Sequence, residues 1–412
     1  MSFAYGIDHL EPAFSDRDIP FISYGLRFDE ACGYHVENTL QASRVYIIAS
    51  KSLSSNTPAL KRLQHALGDK VVGVRIGMAP HTHWNEVLEV AQDAAPKNPD
   101  CIVTLGAGSL TDAAKVVAWM LANDITTSEG MEKLAASGKD FEPPVIRHVA
   151  IPTSLSGGEY QAMAGVTRDD GSQLKTPFFP PPRNPSLVVL DPELSTTTPE
   201  RIWLSTGVRA VDHCVETLCS LLSNERGDAE AEKGLVKLVS SLIRTHRDPR
   251  DLSARFESMR GVIEAMSAVS SGVPLGASHS IGHQLGPLGV GHGETSCILL
   301  PAVCKWNAKA GANIDRQKYC KEVLLRSPVV QEVLRAKYGG DQDKIDHLDL
   351  GDVLDAIFRD LGMPRSLKDV GVGRDKLDGL AENSLRDHWC QTNAKPLVEK
   401  SQVMEILEMV VE

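Results

Sequence analysis

Four of the chain's 13 histidines stand among glycines and serines in a few short stretches. His213 lies in Gly207-Val-Arg-Ala-Val-Asp-His-Cys-Val-Glu216, His279 and His283 in Gly276-Ala-Ser-His-Ser-Ile-Gly-His-Gln-Leu-Gly286, and His292 in Gly289-Val-Gly-His-Gly-Glu-Thr-Ser296. Imidazole exchanges protons near neutrality and ligates transition metals, so histidines that converge predict a catalytic or metal-binding site. His279 and His283 are four apart and share one face of a helix. Position 280 is Ser, which excludes the H-E-x-x-H pattern of metalloproteases. His81 and His83, in a loop after Pro80, read as structural or solvated.

Two loops offer a different chemistry. Cys101-Ile-Val-Thr-Leu-Gly-Ala-Gly-Ser-Leu-Thr-Asp-Ala-Ala-Lys115 reads as a buried strand, a tight glycine turn and a helix start. Gly106 and Gly108 let backbone N–H groups approach an anion, Ser109 is placed to cap the helix, and the helix N-terminus adds partial positive charge for a pyrophosphate. The pattern is not G-x-G-x-x-G. The second loop, Pro152-Thr-Ser-Leu-Ser-Gly-Gly-Glu-Tyr160, gathers hydroxyls and glycines past a strand end, where open α/β sheets bind ligands.

Short β-branched runs at Val45 to Ala49, Val71 to Ile76, Cys101 to Leu105, Val145 to Ile151 and Leu187 to Leu190 alternate with helical patterns at Pro58 to Leu67, Trp84 to Ala94 and Leu110 to Leu121. This alternation predicts βαβ units and a mostly parallel sheet. Beyond Asp191-Pro192 apolar residues recur at helical spacing, as in Leu235, Leu238, Val239, Leu242 and Ile243, so the second half reads as all-helical. The expected organisation is an α/β domain over 1–194 and a helical domain over 195–412, and Thr176 to Pro185 is expected to be a rigid crossing loop. Net charge −11 argues against a nucleic-acid partner. Eight cysteines without any C-x-x-C fit a reducing, cytoplasmic location, and neither a signal peptide nor a membrane span is read.

In this order and spacing the segments resemble the iron-containing (group III) alcohol dehydrogenase family, and within it the maleylacetate reductase branch. The motifs are GAGSLTDAAK, IPTSLSGGE, Lys175, LVVLDP, GVRAVDHCVE, H-x-x-x-H, GHGETSCILLP, Gly362-Met-Pro364 and Asn393-Ala-Lys-Pro396. The resemblance implies an N-terminal Rossmann-like dinucleotide domain plus an all-α C-terminal domain of the dehydroquinate synthase type, a homodimer, and hydride transfer between NAD(H) or NADP(H) and a small-molecule carbonyl, alcohol or activated double bond. Gly106, Ala107, Gly108, Ser109 and Asp112 would hold the pyrophosphate; Thr153, Ser154 and Ser156 the nicotinamide half; Lys175 a ribose or phosphate. His213, His279 and His292 match the ligands of Fe²⁺ or Zn²⁺ in metal-dependent relatives, and His283 a histidine facing the substrate.

Two positions depart from the family pattern. The fourth metal ligand there is an Asp four residues before the first His, and here that place holds Arg209, on the same helical face as His213. A guanidinium about 4 Å from a unit cation opposes it by roughly 4 kcal/mol at an effective dielectric near 20, which predicts a metal-independent site unless Arg209 turns toward Asp212 or Glu216. The acidic residue that would accept the adenosine ribose hydroxyls is replaced by Ser50, followed by Lys51, which removes a strict NAD preference and leaves NADPH expected to bind at least as well as NADH. The expected activity is reduction of a carbonyl or activated C=C in a small acidic or enol-type substrate, with Arg209 as electrophile. An Fe- or Zn-dependent alcohol dehydrogenase and a non-redox, dehydroquinate-synthase-like lyase or cyclase are the alternatives.

Overall fold

The structure, a computed structural model, describes residues 3–170, 175–181 and 185–412. The chain divides into two compact units, Met1–Thr198 and Pro199–Glu412.

The first unit is built on a seven-stranded sheet. Its strands are β1 (His9–Phe14), β2 (Arg17–Tyr24), β3 (Val45–Ala49), β4 (Val71–Ile76), β5 (Cys101–Gly106), β6 (Arg147–Pro152) and β9 (Leu187–Leu190), in the order β1-β2-β9-β6-β5-β3-β4. All pairs are parallel except β1 with β2. Helices α1 (Phe28–Asn38), α2 (Lys51–Asn56), α3 (Ala59–Leu67), α4 (Trp84–Ala94), α5 (Gly108–Leu121), α6 (Ser128–Ala136) and the short α7 (Pro192–Ser195) follow the strands. Alternate strand residues enter two cores. Tyr46, Ile48 and Ile102 pack with α4, α5 and α6, whereas Val45, Ile47, Val103, Val149 and Val189 pack with α1 and α3. Burial on both faces is why these strands read as continuous apolar runs.

The β1–β2 hairpin lies outside the sequence expectation because prolines interrupt its pattern: Pro12 stands on the edge strand β1, and Pro20 precedes the β2 residues, from Phe21 on, that pair with β9. The expected crossing loop is corrected in part: Thr176–Phe178 belong to β8 (Lys175–Phe178), paired with β7 (Ala164–Thr167), while 182–184 lie outside the described residues.

The second unit is helical throughout. Its first elements are α8 (Glu200–Cys219), α9 (Glu225–Arg247), α10 (Leu252–Val269), α11 (Ala277–Leu285) and α12 (His292–Lys309). Gly293 sets the approach of α12 to α8, since an added Cβ would stand 2.3 Å from the Ser205 carbonyl carbon. No helix among the described residues is long and apolar enough to cross a membrane.

Candidate active site

In the first unit, β5 ends at Gly106 and α5 begins at Gly108. Gly106 has φ +149°, a conformation that side chains rarely adopt, whereas Ala107 has φ −90° and fits without strain. Gly108 is needed for closeness: a Cβ there would lie 2.7 Å from Ser156 Oγ. Ser109 does not cap α5 as expected. It sits inside the helix, and the N-cap position, Ala107, supplies no side-chain acceptor to the first-turn N–H groups.

The second loop is tied to this turn by the Thr153 N–H, which donates to Gly106 O (3.1 Å). Thr153 and Ser154 are buried, and the hydroxyls of Ser154 and Ser156 are 3.1 Å apart. Asp112 accepts from buried Lys115 (3.0 Å) and from Gly165 N (3.4 Å), and the Lys175 stem crosses Gly165. Ser50 caps the strand side of the same turn. Its N–H donates to Leu105 O (2.9 Å), and its Cβ would meet one on Gly106 at 3.0 Å.

In the second unit, Arg209, Asp212, His213 and Glu216 recur at i, i+3, i+4 and i+7 on one face of α8. All four belong to a buried polar cluster with α11 and α12. Arg209 Nη1 donates to Ser296 Oγ (3.1 Å) and stands 3.8 Å from Asp212 Oδ2. The guanidinium therefore leans toward Asp212, the turn that the sequence reading left open. Gly282 is held close to Thr295 instead: a Cβ there would lie 3.0 Å from Thr295 Oγ1, while its 3.6 Å from Arg209 Nη1 is ordinary contact. Asp212 Oδ2 also accepts from Ser278 Oγ (2.8 Å) and Ser296 Oγ (2.5 Å), while Oδ1 is buried without a partner.

The His213 and His279 rings stack at 4.7 Å. His279 Nδ1 and Glu216 Oε2 are 2.7 Å apart, leaving Nε2 buried and unpartnered, as is His213 Nδ1. Burial pushes both imidazole pKa values well down, with the Arg209 charge adding, so both rings are neutral at pH 7. Burial pushes the Asp212 and Glu216 carboxyls up, and Arg209 opposes the rise.

His283, one turn along α11, is a third exposed (34%), against 1% for His279. Its Nδ1 shares a hydrogen bond with Asp387 Oδ2 (2.8 Å). His292 is partly buried at the first position of α12. Among the described residues, the group of His, Cys, Asp or Glu whose ligand atoms lie within 4.8 Å of one another is Asp212, Glu216 and His279, not the three histidines. Sequence reasoning missed Ser278, Ser296 and Asp387 as partners. Glu216 had a signal, its place three residues after His213 on the Arg209 face.

The sequence patterns of two parts of one family cover most of this chain. "Iron-containing alcohol dehydrogenase" matches residues 26–192 and "Fe-containing alcohol dehydrogenase family, C-terminal" matches 203–411. The chain belongs to the iron-containing alcohol dehydrogenase family. It is an NAD(P)-dependent oxidoreductase. Dehydrogenase FUM7 of Gibberella moniliformis is 37% identical, the match covering 98% of this chain and 99% of the relative. Dehydrogenase ALT3 of Alternaria alternata is 38% identical over 88% of this chain and 98% of its own. The crystal structure of maleylacetate reductase from Agrobacterium tumefaciens shares the fold, with TM-score 0.70 and 24% identity over 100% of this chain and 98% of that one.

Proposed function

We propose that this family member is an NAD(P)H-dependent reductase of a carbonyl or activated carbon–carbon double bond in a small acidic or enol-type substrate, acting without a metal ion. The observation that carries the reading is Arg209. A guanidinium, 11% exposed, occupies the α8 position that carries an acidic metal ligand elsewhere in the family. Among the described residues the three family histidines do not gather their ligand atoms; the group that does is Asp212, Glu216 and His279, where Asp212 Oδ2 already accepts from two serine hydroxyls and faces Arg209, whose positive charge opposes a divalent ion even as it leans toward that carboxyl. Arg209 offers planar donors and positive charge for a substrate carboxylate or a developing enolate oxygen.

The turn suits a dinucleotide: its glycines admit close backbone approach and the first-turn N–H groups of α5 have no side-chain cap. Gly106, Ala107, Gly108 and Ser109 would hold the pyrophosphate, with Asp112 bracing the turn; Thr153, Ser154 and Ser156 the nicotinamide half; Lys175 a ribose or phosphate. Ser50 and Lys51 would receive the adenosine end and favour NADPH. When bound, the reduced nicotinamide supplies the hydride. His283 is the proton donor of the pair on α11, because it is the ring with solvent access and with a carboxylate, Asp387, to stabilise its charged form. The reading includes a homodimer, the assembly that family members often form.

Loss of NADPH absorbance should accompany addition of an unsaturated oxo-dicarboxylic acid, and His283→Ala should lower kcat on the order of 10²-fold with cofactor affinity unchanged. Turnover only with simple alcohols, abolished by chelation and restored by Fe²⁺ or Zn²⁺, would establish the metal-dependent alternative instead.

A further inference from the structure

Helix α11 carries two of the four histidines yet has no cap of its own at Gly276. Its first N–H groups are satisfied from distant parts of the second unit. Glu216 accepts from Gly276 N through Oε2 (2.9 Å) and from Ser278 N through Oε1 (2.8 Å), and Asn393 Oδ1 accepts from Ala277 N (3.2 Å). The junction is close enough to require glycine: a Cβ on Gly276 would lie 3.0 Å from Asn393 Oδ1 and 3.1 Å from Glu216 Oε1. This is what the late Asn393-Ala-Lys-Pro396 motif does. It caps a helix more than 100 residues upstream.

The same carboxylate that caps the helix also stands 2.7 Å from Nδ1 of His279. One turn later the arrangement repeats, with Asp387 Oδ2 2.8 Å from Nδ1 of His283. Asp387 is fixed in turn by the Trp389 N–H on its other oxygen (3.0 Å). The Trp389 ring lies against both imidazoles, 5.7 Å from His279 and 5.1 Å from His283. A neutral imidazole has one N–H, and both carboxyl groups act here as acceptors, the two Glu216 oxygens taking the Gly276 and Ser278 N–H bonds and Asp387 Oδ1 that of Trp389. Each contact therefore places the proton on Nδ1 and the lone pair on Nε2.

We propose that Glu216 and Asp387 are positioning residues that hold His279 and His283 as matched Nδ1–H tautomers, so that Nε2 of each ring is the atom offered to substrate. Neither carboxylate touches the reacting atoms in this role. Glu216 couples the tautomer of His279 to the seating of α11. Asp387 leaves Nε2 of His283 as the atom that takes up a proton from solvent and, from the imidazolium so formed, passes it to substrate while the carboxylate balances the charge. The catalytic consequence rests on the function proposed above, but the tautomers do not.

The test begins on the intact wild-type protein with ¹⁵N-labelled histidine, using His283→Ala to assign the second ring. Both rings should show the ¹⁵N pattern of a protonated Nδ1 and an unprotonated Nε2. An Nε2–H tautomer in either ring overturns the proposal, whatever the enzyme reduces. Asp387→Asn offers an amide that can donate as well as accept. It should shift the His283 signals toward the other tautomer and lower kcat on the order of 10²-fold, leaving NADPH affinity within about twofold, with recovery in Asp387→Glu. A lowered melting temperature with the His283 tautomer and kcat per folded molecule unchanged would make Asp387 a strut and overturn its assigned role. Glu216→Gln removes a cap as well as an acceptor and can fail to fold, so the wild-type spectrum and the Asp387 pair decide the question. If no carbonyl or alkene substrate is reduced, the functional reading fails while the spectrum still judges the tautomers.

Discussion

Arg209 puts a positive charge on the turn of α8 where the resemblance implies an acidic ligand. In the cluster, Arg209 bonds Ser296 and faces Asp212, so its loss leaves buried carboxyls without their cation. Arg209→Ala should lower kcat/KM on the order of 10²-fold, as for loss of an oxyanion donor, and elemental analysis of the wild type should find substoichiometric Fe and Zn. Arg209→Asp, on the His213 face, should instead raise Zn²⁺ affinity measured by calorimetry; no gain would show that the histidines cannot be recruited by an acid. At the other end of the chemistry, Ser50 adjoins Gly106, and Ser50→Asp should weaken NADPH selectively over NADH in fluorescence titrations by repelling a 2′-phosphate. A strong NADH preference in the wild type would contradict this. The histidines and Arg209 were legible because helical periodicity converts spacing into a shared face. Asp387 was not, since 104 residues separate it from His283 and nothing local marks an acid as the partner of a distant ring.

At the scale of elements, what reads from sequence is what burial imposes. Strands β3, β5 and β9 are buried at every position because both faces are covered, and α4 has the bounds that its periodicity predicts. The edge strands β1 and β8, and β2 between β1 and β9, escape because prolines and polar residues break their apolar pattern, and their pairing is set by neighbours. Ser109 was misread because a serine after a glycine turn suits either an N-cap or a first helical turn, and backbone geometry at Ala107 decides between them. The loop after β6 holds a group with a measurable consequence. Burial pushes the Glu159 carboxyl up to about 7 from 4.5, against the pull of Lys115. The native state thus holds a proton that the unfolded chain releases. The stabilising contribution is full below pH 4.5, is lost as pH rises to about 7, and is on the order of 3 kcal/mol. Urea unfolding of Glu159→Gln should show that much less stability loss between pH 4.5 and 8 than the wild type; an identical pH profile would mean that the loop hydrates the carboxylate.

At the scale of the whole molecule, the residues assigned to the cofactor and the residues assigned to proton transfer lie in different compact units with separate cores. Gly106 to Asp112, Thr153 to Ser156 and Lys175 belong to Met1–Thr198, while Arg209 and the four histidines belong to Pro199–Glu412. A ligand stabilises the structure that binds it by mass action, about 2.7 kcal/mol at one hundred times Kd. For a unit of about 200 residues this corresponds to a rise of roughly 5–10 °C in its transition. NADPH should therefore raise the melting of the first unit by this amount and slow amide exchange most strongly in β5, α5 and the loop after β6. Fe²⁺ or Zn²⁺ at the same excess should leave exchange in α8, α11 and α12 unchanged, since the buried cluster there already contains its own cation in Arg209. Protection of α8 and α11 by either metal, with β5 and α5 indifferent to NADPH, would reverse both assignments: the glycine turn would be structural, and the histidines would be a metal site despite the arginine beside them.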